Sequence, residues 1–131
     1  MKHKLIKTLR RVCSYTETEQ VFVYETLLSD KLRKKLLKRD TKTYVDKIIG
    51  YREVSIATNE GPNYHTLLPE QTSSVMGKRF TVTREELRIL DNYEDEYIRK
   101  RIQLASDNIA WVYLLRVDCM SDKGHNLDIP N

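Results

Sequence analysis

Cysteine is scarce in this 131-residue chain. Cys13 and Cys119 form neither a CxxC pair nor a disulfide framework. That excludes a disulfide-stapled scaffold and makes a reducing compartment, the cytoplasm, the expected location. Histidine is as sparse: His3, His65 and His125 stand apart from one another and from the cysteines. No metal-ligand spacing results, and no glycine-rich phosphate loop is present, so neither a metal nor a nucleotide cofactor is expected. Four glycines and three prolines are too few for a collagen-like or linker-like chain. No apolar run approaches the roughly 20 residues of a membrane span, and the N-terminus lacks the apolar stretch of a secretory signal.

What is present is enough for one domain with a thin core. Apolar residues make up 40% of the chain and charged residues 32%, too apolar for disorder and too charged for a large core. The organisation expected is a basic extension over 1–19, a domain over 20–120 and an irregular polar tail over 121–131. The net charge of +4 is concentrated in residues 1–16, which hold basic but no acidic side chains. A solvated tail is the preferred reading. A nucleic-acid contact is the less favoured one, and Leu5, Ile6, Leu9 and Val12 leave an organelle presequence as a further alternative.

Val21-Phe22-Val23-Tyr24 is a continuous apolar run and reads as a buried strand. Ser29 or Asp30 can cap a helix in which Leu28, Leu32 and Leu36 form an apolar stripe and Lys31, Lys34, Lys35 and Lys38 a basic outer face. Residues 44–57 read as extended, with Gly50 a bulge or bend, and Glu60-Gly61-Pro62-Asn63 as a turn. A short strand ending at Pro69, a half-buried strand over 76–82, an alternating segment over 98–104 and a central strand buried on both faces over 109–115 complete the pattern. Thr83-Arg84-Glu85-Glu86 fits a capping box and starts a second helix. About six strands and two helices without regular alternation point to an α+β domain: a small mixed β-barrel or curled sheet packed by two main helices.

One carboxylate in the second helix breaks the pattern. At about 100° per residue, Leu87, Ile89, Leu90, Tyr93, Glu94 and Tyr97 share one arc. Glu86 also falls near this arc, but the capping box accounts for it. Glu94 projects between Leu87 and Leu90, where an apolar setting disfavours the anion and raises the pKa, as general acid–base catalysis near neutral pH requires. The alternative is a glutamate that ends the helix and leans to solvent or pairs with Arg99 or Arg101.

Several segments together resemble a known family. Val21-Phe22-Val23-Tyr24-Glu25-Thr26-Leu27 is similar to the VFVYGTL strand and loop of the γ-glutamyl cyclotransferase-like (AIG2-like) proteins. Leu90-Asp91-Asn92-Tyr93-Glu94, followed by Tyr97 and Arg99, resembles that family's LDxYE…YxR segment. Gly50-Tyr51-Arg52, Leu67-Leu68-Pro69, Val75-Met76-Gly77 and Trp111-Val112-Tyr113 fall in matching order. The resemblance implies a small mixed α/β barrel whose active site lies at one end, releasing 5-oxoproline from small γ-glutamyl compounds without a cofactor. It implies Glu94 as the acid/base and the loop of Glu25, Thr26 and Leu27 as the substrate-holding element. Tyr24 is a hydrogen-bonding or a packing residue on this view, and Tyr97 a substrate neighbour or a structural one. Arg99 pairs with a substrate carboxylate or with Asp95.

One departure stands out: Glu25 occupies the position of the family's glycine. It brings a side chain and a negative charge to the loop. Three readings follow. The first is a γ-glutamyl cyclotransferase-like enzyme. The second, motivated by Glu25, is a weakly active or inactive member of the fold that binds a protein partner. The third is a nucleic-acid binder using the basic N-terminal region, which leaves Glu94 unexplained.

Overall fold

The computed structural model describes residues 17–115. Both cysteines, His3, His125, the basic N-terminal segment and the polar tail lie outside the described residues. The elements run β1 (Thr18–Val23), a 3-10 turn (Thr26–Leu28), α1 (Asp30–Leu37), β2 (Tyr44–Ile56), β3 (Tyr64–Thr83), α2 (Arg84–Tyr93), β4 (Tyr97–Gln103) and β5 (Ile109–Leu115). The strands form one curled mixed sheet in the order β2-β3-β1-β5-β4. No helix among the described residues is long and apolar enough to cross a membrane.

The central strand is β1 and not 109–115, which lies beside it as β5 with Ile109 exposed, and the unbroken apolar run of β1 follows from that place. It pairs antiparallel with β3 and parallel with β5, and both its faces are covered. Val21 and Val23 pack with Phe80, Val82, Leu87 and Leu90 on the helical side. Phe22 and Tyr24 pack with Ile48, Leu67, Val75 and Val112 on the other. Strand side chains alternate between faces, so only a strand buried on both sides reads as continuous apolar sequence. Gly77 permits the close passage of β3: a Cβ there would lie 2.2 Å from the Val23 carbonyl oxygen.

The fold class is as the sequence implies, but the strand count is lower, because 64–69 and 76–82 belong to one strand. Pro69 does not end it. In the β2–β3 ladder Ile49 pairs with Ser74 and Tyr51 with Pro69, so Glu70 to Ser73 stand opposite Gly50 alone. Gly50 has φ +90°, a conformation natural to glycine. The ladder is interrupted beside Pro69, where a residue lacking an N–H is tolerated.

Both helix starts follow the expected chemistry. The Ser29 hydroxyl accepts from the Leu32 N–H at 3.1 Å. At α2, Thr83 and Glu86 exchange reciprocal bonds of 3.0 and 3.1 Å. The buried face of α1 differs from expectation. Leu28, Leu32 and Leu36 are only partly buried, while Arg33, 1% exposed, and Leu37 lie deepest. The Arg33 guanidinium donates to the Leu27 and Leu28 carbonyls at 2.8 and 2.9 Å and to the Thr41 hydroxyl at 2.7 Å. It also pairs with Asp30 and lies over the Phe80 ring. A buried charge persists only when its donors are matched in this way. Arg33 thereby ties the loop after β1 to the helix that follows it.

Candidate active site

At one end of the sheet the chain leaves β1 through Tyr24 and Glu25 and enters the 3-10 turn. The end of α2 and the hairpin between β2 and β3 approach the same place. They enclose a cavity of about 340 Å³. Tyr24, Glu25, Thr26 and Leu27 line one side, residues 62–65 another, and the segment from Tyr93 to Tyr97 a third. The segments resembling VFVYGTL and LDxYE, distant in sequence, meet here.

α2 ends one residue before Glu94. Glu94 is its C-cap: its N–H donates to the Leu90 carbonyl at 2.8 Å, and its own carbonyl accepts from the Tyr97 N–H at 2.9 Å. The helix does stop where the alternative reading placed its end, yet the side chain enters the cavity. Burial pushes the Glu94 carboxyl up from the ordinary 4.5 to about 7, and the nearby Glu25 and Asp95 carboxylates add to the rise. A helix C-terminus also disfavours an anion.

Tyr24 is buried, and its hydroxyl donates to the Tyr113 carbonyl at 2.7 Å. Burial raises its pKa, so it stays a neutral wall of the cavity. The Tyr97 hydroxyl accepts from the His65 N–H at 3.2 Å, and its ring meets Tyr64 edge to face. Burial raises the Tyr97 pKa as well. Tyr64 in turn donates to Glu96 at 2.6 Å. These contacts brace the strand start that carries the segment after Glu94.

Glu25 has φ −138° and ψ −126°, so it does not occupy the left-handed region for which glycine is favoured. Its carboxylate lies 3.2 Å from His65 Nε2, while His65 Nδ1 lies 3.4 Å from the Glu53 carboxylate. Two carboxylates and one imidazole form the metal-ligand type of grouping found among the described residues. Each ring nitrogen addresses a different carboxylate. The ligand atoms of the three residues lie within 4.8 Å of one another.

Arg99 has a different partner from those expected. It forms a two-pronged pair with Asp91, at 2.7 and 3.0 Å, and lies over the Trp111 ring at 4.3 Å. Asp91 also accepts from the Tyr113 hydroxyl at 2.7 Å. Arg99 is absent from the cavity wall. Its guanidinium joins α2 to β4, and neither Asp95 nor the cavity takes it up. His65 and Glu53 were invisible as a pair in a linear reading. Their signal is the hairpin register: Ser55 faces His65 and Glu53 faces Leu67, which puts Glu53 and His65 on one face as diagonal neighbours.

The comparisons with known proteins agree with this geometry. AIG2-like protein D of Arabidopsis thaliana is 35% identical over 86 residues, covering 64% of this chain and 55% of that protein. The chain thus spans about half the length of that curated relative. A protein of Arabidopsis thaliana solved in solution superposes with a TM-score of 0.65 at 21% identity, covering 79% of this chain and 73% of that one. A structure named gamma-glutamyl cyclotransferase gives a TM-score of 0.65 at 13% identity, covering 76% and 68%. At such identities the likeness shows the fold alone. A family model described as gamma-glutamyl cyclotransferase, AIG2-like matches residues 21–130. With the loop after β1 and the end of α2 both within that match, the chain belongs to the γ-glutamyl cyclotransferase, AIG2-like family.

Proposed function

We propose that this chain releases 5-oxoproline and an amine from a small γ-glutamyl compound, with Glu94 as general acid and base. The observation that carries this reading is Glu94 itself: a carboxyl poised near neutrality in a cavity, on the segment resembling the family's LDxYE. The substrate carries its own nucleophile. Its α-ammonium loses a proton to Glu94, and the freed amine attacks the γ-carbonyl carbon to close the five-membered lactam. Glu94 returns that proton to the departing nitrogen as its bond to the carbon breaks, and the ring nitrogen passes its second proton by way of Glu94 to the freed amine, so the products are a lactam N–H and an ammonium. No water, metal or protein nucleophile enters the balance, and one carboxyl of intermediate pKa serves these transfers.

The backbone amides of the loop of Glu25, Thr26 and Leu27, and not the Glu25 side chain, hold the glutamyl half. The first amides of a helical turn have no acceptor within it, and oriented N–H groups stabilise a developing oxyanion. Arg33 keeps this loop in place through the Leu27 and Leu28 carbonyls. Tyr24 and Tyr97 act as walls. The test is detection of 5-oxoproline from a panel of γ-glutamyl amines and amino acids, with Glu94→Gln as the control. Release by the parent and near-absence in the variant support the reading. No release across the panel from folded protein would instead favour a binding protein on this fold, the role that Glu25 in place of glycine also motivates.

A further inference from the structure

We infer that Glu25, held by His65 against Glu53, selects γ-glutamyl amides whose leaving amine carries a second positive charge, such as those of a diamine. The inference rests on the cyclotransferase reading above, and it concerns the half of the substrate on which that reading is silent.

The cavity wall is charged with one sign. Glu25, Glu94, Asp95 and Glu96 line it, and among the described residues no lysine or arginine does. The one basic side chain in the wall, His65, already lies between Glu25 and Glu53. Protonated, that trio still carries one net negative charge, and neutral it carries two. Arg99, on the strand after α2, is committed to Asp91. Any γ-glutamyl substrate brings one ammonium and one carboxylate on its glutamyl end, so this end alone does not distinguish substrates by charge. The leaving group does. An amino-acid leaving group adds an anion that meets an uncompensated negative wall. A diamine adds an ammonium that the same wall attracts, more strongly in a partly desolvated cavity than in water.

Geometry makes His65 the positioning residue. A glutamate on a loop has free rotamers, and a charge that wanders to solvent is screened. Contact with Nε2 at 3.2 Å fixes the carboxylate at the wall, and Glu53 on Nδ1 at 3.4 Å fixes the ring. The three groups come from three places: the loop after β1, β2, and β3.

Three matched probes test this: the γ-glutamyl amides of 1,4-diaminobutane, butylamine and 4-aminobutyrate. They share the glutamyl end and chain length and differ in terminal charge. The expected order of kcat/KM is cation, neutral, anion, with at least about tenfold between the ends. Glu25→Gln should compress the cation-to-anion ratio by about tenfold. His65→Ala should compress it too, through KM more than kcat, and His65→Gln, which keeps one N–H donor, should recover part of it. An equal loss for all three probes in Glu25→Gln would place Glu25 on the glutamyl end and overturn the inference. So would an unchanged ratio. Calorimetric binding of the same amides to Glu94→Gln separates this idea from the reaction. Charge-ranked binding without turnover in the parent would sink the cyclotransferase reading and keep the selection. Turnover without ranking would do the reverse.

Discussion

The two ends of α2 carry the same side chain in opposite circumstances. Glu86, in the first turn, closes the capping box with Thr83 and receives Arg39 at 2.6 and 2.9 Å. The Arg39 bond, ahead of the Thr83 amide, holds its carboxyl below the usual range. Glu94, at the C-cap, meets a cavity and two further carboxylates, and its carboxyl is pushed up to about 7. A helix start favours an anion and a helix end disfavours it, so the backbone adds to the contrast. On a helical wheel the two residues lie near the same apolar arc. What separates the two carboxylates is the supply of donors at one end and, among the described residues, their absence at the other.

The contrast is broken most severely by removing the proton carrier. Glu94→Gln keeps the size of the side chain, and turnover should fall by at least about a hundredfold. Steady-state release of 5-oxoproline by folded protein measures this, and near-parental rates would refute the assignment.

The same substitution should act on stability with the opposite sign. An acid whose folded pKa is raised binds more protons in the native state between its unfolded value and its folded value. Stability therefore declines as pH rises from 4.5 to about 7. Glu94→Gln should be more stable than the parent at pH 8 by about 1–2 kcal/mol, after allowing for solvent screening, with no difference near pH 4. Thermal melts at both pH values provide the comparison, and a destabilised variant at pH 8 would contradict it.

Glu86→Gln sharpens the comparison from the other end. A depressed carboxyl contributes stability above its ordinary pKa that is lost as pH falls through the folded value. The variant should be less stable by about 0.5–1 kcal/mol at neutral pH, because the pair with Arg39 is partly exposed. That deficit should close in acid, while the pH dependence of turnover stays that of the parent. Chemical denaturation across pH, paired with rate profiles, tests both halves.

The smallest effect is on the coupling between the loop and the helix end. Glu25 is the largest charge contribution to the raised Glu94 carboxyl after burial. Glu25→Gln should therefore move the acidic limb of the kcat profile, set by Glu94, to lower pH. An unmoved limb would mean that the two carboxylates do not sense each other during turnover.

Much of this was legible in the chain itself. Val21-Phe22-Val23 announced a buried strand, and Thr83 with Glu86 announced the start of α2, because these signals are local. Glu94 was legible for a different reason: an ionisable residue on an apolar arc is a conflict that a sequence reader can see. Arg33 was not legible, since its burial depends on carbonyls and a hydroxyl supplied by three other residues. The expected break at Pro69 failed because the opposite strand, through Gly50, supplies the irregularity that accommodates it. Arg99 reads from the chain as a partner of a substrate carboxylate or of Asp95, because Asp91, its partner in the structure, faces it only once β4 is laid beside α2.

The amino-acid sequence by itself determined the element types, both helix caps, the apolar run of the central strand and the identity of the anomalous glutamate. Periodicity and capping act over a few residues, so a linear pattern contains them. Only the tertiary structure decided which carboxylates share a cavity, that Glu25 leans on His65 while the other ring nitrogen meets Glu53, and that Arg99 turns away to Asp91. Charge interactions depend on distance in space and on burial, and residues as far apart as Glu25 and Glu94 acquire both only when the sheet curls and the end of α2 closes over the loop after β1.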